Sequence, residues 1–205
     1  AVMKYAQYAL KDKENGQFAM QLLTDAYKAK GDTAKWVEKL QEGIVKFPEN
    51  QYFFANLVDY YSSSNQNDKA MQFADDMLAK DPNNKLYLYV KAYLYHNMKD
   101  YEKAIEFYKK TLDIDPAYAE ACSNLGLVYL LQAQEYADKA PADINDPNYA
   151  TAQAEIKKFY EAAKPYYEKA RELKPDQKDL WLQGLYRVYY NLNMGPEFEE
   201  IEKMM

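Results

Sequence analysis

Three prolines, Pro48, Pro82 and Pro116, follow one another at intervals of 34 residues in a chain of 205. A fixed interval of this size marks one supersecondary unit copied along the chain, and it constrains the fold more than any single residue does. Between Pro82 and Pro116, Leu88, Ala92 and Tyr95 recur at helical spacing, then Tyr101, Ala104, Ile105, Tyr108, Thr111 and Leu112. Each set forms one apolar stripe on a helix, and the polar turn Met98-Lys99-Asp100 separates them. Asp115-Pro116 ends the second helix, because the residue before a proline is driven out of the helical region.

The same slots recur in the neighbouring intervals. Before Pro82 they hold Phe54, Leu57, Val58 and Tyr61, then Ala70, Ala74, Met77 and Leu78. Before Pro48 they hold Met20, Leu23, Thr24 and Tyr27, then Trp36, Leu40, Gly43 and Ile44. After Pro116, Cys122, Leu125, Gly126 and Tyr129 open a further copy that closes with Ala163, Tyr167, Ala170, Leu173 and Pro175.

A large residue, Leu, Gly and Tyr at the spacing of Cys122-x-x-Leu125-Gly126-x-x-Tyr129, with Asp100-Tyr101-Glu102-Lys103-Ala104-Ile105 opening a second helix, resembles the tetratricopeptide repeat family. The sequence departs from the pattern where Thr24, Val58 and Ala92 fill the small Gly slot and where Trp36 replaces an expected Ala. The resemblance implies an all-α fold: a right-handed superhelical solenoid of antiparallel helix pairs. First helices line its concave wall and second helices lie outside. High Tyr, Asn and Lys content is similar to tetratricopeptide proteins of the Bacteroidetes type, many of them exported, which favours the periplasm or cell envelope over the cytoplasm.

In order, the chain is expected to form a single solenoid over 1–205. Residues 1–16 carry the second helix of a truncated repeat, with Val2, Ala6 and Ala9 in its small slots and Asn15-Gly16 as the following turn. A natural N-terminal part is therefore expected to be missing. Regular repeats occupy 17–50, 51–84 and 85–118, the first with Gly31-Asp32 as turn and helix cap. The repeat over 119–177 holds 25 extra residues, since Pro116 and Pro175 are 59 apart. Leu130, Leu131, Gln134 and Ala137 continue its first helix, a loop follows at 141–147, and Asp146-Pro147 is a helix-start signal. An elongated helical hairpin at 130–165 is the expected result. Pro165 predicts a kink or break near 161–164. Residues 178–205 form the terminal repeat, with Trp181, Leu185 and Val188 inward and an acidic last helix as its polar end.

Composition narrows the function. A net charge of −6 argues against a nucleic-acid partner, whose phosphates need clustered Lys and Arg. No stretch is apolar for long enough to span a membrane. Cys122 is the single cysteine and His96 the single histidine. A metal site or a general base would need partners for them, so Cys122 reads as a packed apolar group and His96 as a hydrogen-bonded surface or groove residue. Asp143-Ile144-Asn145-Asp146 lacks the Gly and distal Glu of a calcium loop. No phosphate loop and no nucleophile–base motif is present, so the chain reads as non-catalytic, with no cofactor.

Solenoids bind partners on their extended concave surfaces. Periodicity places Phe18, Gln21, Leu22, Asp25, Tyr52, Ala55, Asn56, Asp59, Tyr89, Val90, Tyr93, His96 and Asn97 on that wall. Further along it come Ser123, Asn124, Leu127, Leu131, Leu182, Gln183, Tyr186 and Tyr190. The partner-binding candidates are Tyr52, Asn56, Asp59, Tyr89, Tyr93, His96, Asn97, Asn124, Leu127, Gln183, Tyr186 and Tyr190. Tyrosine offers an apolar face with a polar tip, and an amide can both donate to and accept from a peptide backbone. The Lys, Asn and Arg clamp of chaperone-tail binders has no counterpart beyond an Asn at 56 or 124. A scaffold for a peptide or protein partner is the leading expectation. Self-association through the N-terminal apolar end, and stacking of a glycan on tyrosines, are the alternatives.

Overall fold

The helix starts are written into the sequence as short polar caps. In the computed structural model, which describes residues 15–48 and 50–205, the Asp32 carboxylate accepts from Lys35 N at 3.3 Å and opens a helix at Thr33. Asn50 accepts from Tyr52 N at 3.1 Å, and Asn84 from Leu86 N at 3.0 Å and Tyr87 N at 3.3 Å. Asp100 accepts from Lys103 N at 3.3 Å. Each bond satisfies a backbone donor that the first helical turn leaves unpaired.

Ten α-helices result among the described residues, with no strand. They are α1 (Gly16–Ala29), α2 (Thr33–Lys46), α3 (Gln51–Ser63), α4 (Asn67–Lys80), α5 (Lys85–Asn97), α6 (Tyr101–Ile114), α7 (Ala119–Lys139), α8 (Tyr149–Leu173), α9 (Leu182–Asn191) and α10 (Gly195–Glu202). A 3₁₀ turn, Lys178–Leu180, precedes α9. The helix expected over residues 1–11 lies outside the described residues.

The chain divides into two compact units, the first ending at Ala79 and the second running from Lys80 to Met205. In the first, α1 packs on α2 and α2 on α3. Met20, Leu23, Leu40, Ile44, Phe53 and Leu57 are fully buried there. Gly43 lets α2 approach α3 so closely that the Phe53 ring lies 2.3 Å from where a Cβ would stand. In the second unit each helix from α5 to α10 packs on the next, and α7 also touches α5 and α9. The unit is thus a row of antiparallel helix pairs whose first helices meet one another.

The longest pair, α7 and α8, carries the insertion as added length on both helices. The break expected near 161–164 does not occur: α8 continues as helix through Pro165. Proline inside a helix costs about 3 kcal/mol, whereas burying each large apolar side chain gains about 1.5–3 kcal/mol. Ile156, Tyr160 and Tyr167 are buried to either side of Pro165, which itself is exposed, so packing prevails. Asp146 also departs from its expected role. It accepts from Asn148 N at 2.7 Å in a turn of its own, and the helix begins at Tyr149.

Candidate tyrosine-lined face

Four connections between paired helices close in the same way. Gly31, Asn65, Lys99 and Asn193 all have positive φ, between 54° and 71°. Each donates its N–H to the carbonyl three residues back, and the following residue donates to the carbonyl five back. This is the left-handed helix-end motif in which two orphan carbonyls are satisfied at once. Because the geometry repeats, these four residues give a common origin for comparing the first helices.

Counted from that origin, Thr24, Val58, Ala92 and Tyr186 each stand seven residues before the left-handed residue. Trp36, Ala70, Ala104 and Phe198 each stand five after it. These are the contact slots within a pair, and in the last pair they are filled by Tyr186 against Phe198, ring centroids 4.9 Å apart. Tyr190 meets the same Phe198 ring at 5.7 Å and remains 63% exposed. The slot six before the origin, which the sequence reading expects on the concave wall, holds Asp25, Asp59, Tyr93 and Arg187. Sequence periodicity anchored on Trp181 put Tyr186 there and missed Arg187. Trp181 lies outside α9, in the turn that precedes it, so it is one residue out of step with the helix.

In the first unit the face residues bind one another. Tyr52 donates its hydroxyl to Asp25, and burial followed by that carboxylate pushes the phenol pKa up. Asn56 donates to Tyr52 O at 2.9 Å and accepts from Lys28 Nζ at 3.4 Å. Gln21 reaches Asn50 at 3.5 Å. Asp59 and Ala55 are exposed beside them.

In the second unit, Asn124 of α7 donates its amide to the Tyr89 hydroxyl of α5 at 2.8 Å. The Tyr89 ring lies 5.0 Å from Tyr118 and 5.8 Å from Tyr108. Burial, then the nearby Glu120, pushes its phenol pKa up. Asn124 is turned towards the buried Tyr108 hydroxyl too, but only its bond to Tyr89 has proper geometry. The Asn124 carbonyl oxygen makes no hydrogen bond among the described residues. Tyr93 and Leu127 flank this pair half-buried, and Asn97 is exposed. Val90, expected on the open wall, is buried.

His96 differs from the sequence expectation. Its ring sits 6.3–6.5 Å from the rings of Tyr93, Tyr101 and Tyr108, and its Nδ1 is buried with no hydrogen-bond partner among the described residues. Burial holds its pKa below the ordinary histidine value. On α9, Gln183 is exposed and approaches the Met205 sulfur at 3.7 Å. Ser123 ties α7 to the turn before α9 through Leu180 O at 2.5 Å. Among the described residues no group of three or more His, Cys, Asp or Glu side chains is arranged to hold a metal, and no helix is long and apolar enough to cross a membrane.

Residues 73–106 match the family model described as tetratricopeptide repeat, and residues 92–132 the one described as TPR repeat. Residues 73–132 carry tetratricopeptide repeat sequence. These matches span α5 and α6, where the spacing of Leu88, Ala92, Tyr95, Ala104 and Tyr108 is most regular. No curated protein matches the chain by sequence. Among solved structures, the chain is similar to the MamA protein, with 16% identity and a TM-score of 0.58 over 93% of this chain and 90% of that one. It is similar to PilW, titled a widely conserved type IV pilus biogenesis factor, with 16% identity and a TM-score of 0.58 over 97% and 80%. Human IFIT1, solved as a dimer with m7Gppp-AAAA, matches at 18% identity and a TM-score of 0.69, over 98% of this chain and 45% of that one. At these identities the likeness is one of fold.

Proposed function

We propose that the chain is a non-catalytic scaffold that binds an extended peptide segment of a partner protein. The face used is the one formed by α5 and α7. The observation that carries this reading is the Asn124–Tyr89 bond. It fixes the amide between two first helices and leaves its carbonyl oxygen available to a peptide N–H. Tyr93 and Leu127, half-buried to either side, offer apolar contact, and exposed Asn97 offers a second amide. Positioned polar groups within an apolar surround are what peptide recognition uses, because orientation comes from the former and affinity from the latter. In the first unit the equivalent amide of Asn56 is already engaged on both its groups, so the second unit is the better binding face.

The test is to pan a random peptide library against the whole chain and measure the recovered peptides by fluorescence anisotropy. Tyr93→Ala and Asn124→Ala should each weaken binding about tenfold, the effect of about 1.4 kcal/mol. Lys109→Ala, an exposed change on α6, should leave it unaltered. Recovery of no peptide, or affinities indifferent to both face substitutions, would overturn the proposal.

A further inference from the structure

Arg187 is half-buried, and its guanidinium makes no ion pair or hydrogen bond among the described residues. The other arginine, Arg171, behaves differently. It is paired with Glu200 and lies over the Trp181 ring at 5.2 Å. Arg187 occupies the slot held by Tyr93 in the α5 pair, and it stands near Tyr167. Burial pushes that phenol's pKa up, and Arg187 pulls it back. An unpaired guanidinium offers five donors in a planar fork, and the group that satisfies it best is a carboxylate.

One turn further along α9, Asn191 donates its amide to Arg187 O at 2.7 Å. Asn191 is also part of a cleft of about 510 Å³ between the end of α9 and the start of α10. Tyr189, Tyr190, Asn193, Met194, Gly195 and Phe198 complete its lining. Clefts that hold ligand groups run from about 300 to 1,000 Å³, so this one can admit a bulky apolar side chain. Gln183, Arg187 and Asn191 follow at intervals of four, which puts them on one strip of the helix leading into the cleft.

We propose that this strip and cleft recognise an acidic segment of the partner, with an Asp or Glu carboxylate on Arg187 and a large apolar side chain in the cleft. The spacing can be stated. Arg187 and Asn191 are separated by about 6 Å along the helix axis. An extended peptide covers that distance in about two residues, and side chains two apart share one face. The recognised pattern is therefore an acidic residue, any residue, then Leu, Phe, Tyr or Trp, in either chain direction. This rests on the peptide-binding reading given above and adds to it the chemistry of the partner.

The peptides recovered by panning the whole chain decide it. The expected result is enrichment of that three-residue pattern. A synthetic copy of the tightest peptide should lose about tenfold or more in affinity with Arg187→Gln, as for a charge-assisted bond. Arg187→Lys should retain part of that affinity, and Tyr190→Ala should weaken it as well. Matching thermal melts would show that these surface variants fold. Recovered peptides without acidic residues, or affinities unchanged in Arg187→Gln, overturn this proposal. If those same peptides are weakened by Tyr93→Ala and Asn124→Ala, the general peptide-binding reading survives while this one does not. Failure to recover any peptide removes both.

Discussion

The ring of Tyr167 lies against the backbone of Gly184: a Cβ at Gly184 would stand 2.2 Å from Tyr167 Cε1. From the other side Gly126 approaches the same ring, and a Cβ there would stand 2.7 Å from Cε2. One buried tyrosine of α8 is thus clasped between α7 and α9, and two glycines make the fit possible. Gly184→Ala should destabilise the chain by about 1–3 kcal/mol, because a packed ring inside a core cannot swing clear. Chemical denaturation checks this. In a double-mutant cycle Tyr167→Leu should absorb part of the Gly184→Ala cost, since the two sites share one contact.

Pro165 provides a test of how α8 is held. The helix passes through it because the flanking buried residues outweigh a missing backbone bond. Pro165→Ala restores that donor at an exposed position and should raise stability by about 1–3 kcal/mol. The same denaturation measurement would show a loss instead if the proline were relieving strain in the hairpin.

His96 makes stability depend on pH. Its folded pKa lies below the ordinary value of 6.5 because burial disfavours the imidazolium. Below about pH 6.5 the unfolded chain takes up a proton that the folded chain resists, so the folded state loses ground as acidity rises. The histidine's stabilising share is complete above 6.5 and falls away as pH drops towards the folded pKa. No carboxylate stands among its ring neighbours, Tyr93, Tyr101 and Tyr108, to take the charge. Thermal melts at successive pH values should show this decline in the native chain. They should show a shallower one in His96→Phe, where the titrating group is absent.

The sequence predicted much of this architecture because prolines and caps punctuate it. The limits of α4 and α5, Asn67–Lys80 and Lys85–Asn97, are those that the apolar stripes and Pro82 mark out. The continuation of α7 to Lys139 is equally visible, since Leu130, Leu131, Gln134 and Ala137 keep the helical period. Four features were not legible, each for a physical reason. Trp181 has the size of a repeat's opening residue but sits in a turn outside α9, which hid the register that aligns Arg187 with Tyr93. Pro165 is read locally as a breaker, while the packing that overrides it is contributed by α7 and α9. His96 has a polar ring, and nothing nearby in sequence reveals that Tyr101 and Tyr108 of the next helix enclose it without offering Nδ1 a bond. The Asn124–Tyr89 bond joins residues 35 apart and is visible only once the helices are stacked.

Hydrogen–deuterium exchange of the whole chain, with and without the tightest peptide recovered by panning, tests most directly where the partner sits. Protection should appear in α5 around residues 89–97, in α7 around 120–131 and in α9 around 183–191. The outward helix α6 and the first unit should be unaffected. Protection confined to α6 or α8, or to α1 and α3, would contradict the assignment of the Tyr93–Asn124–Arg187 face as the recognition surface.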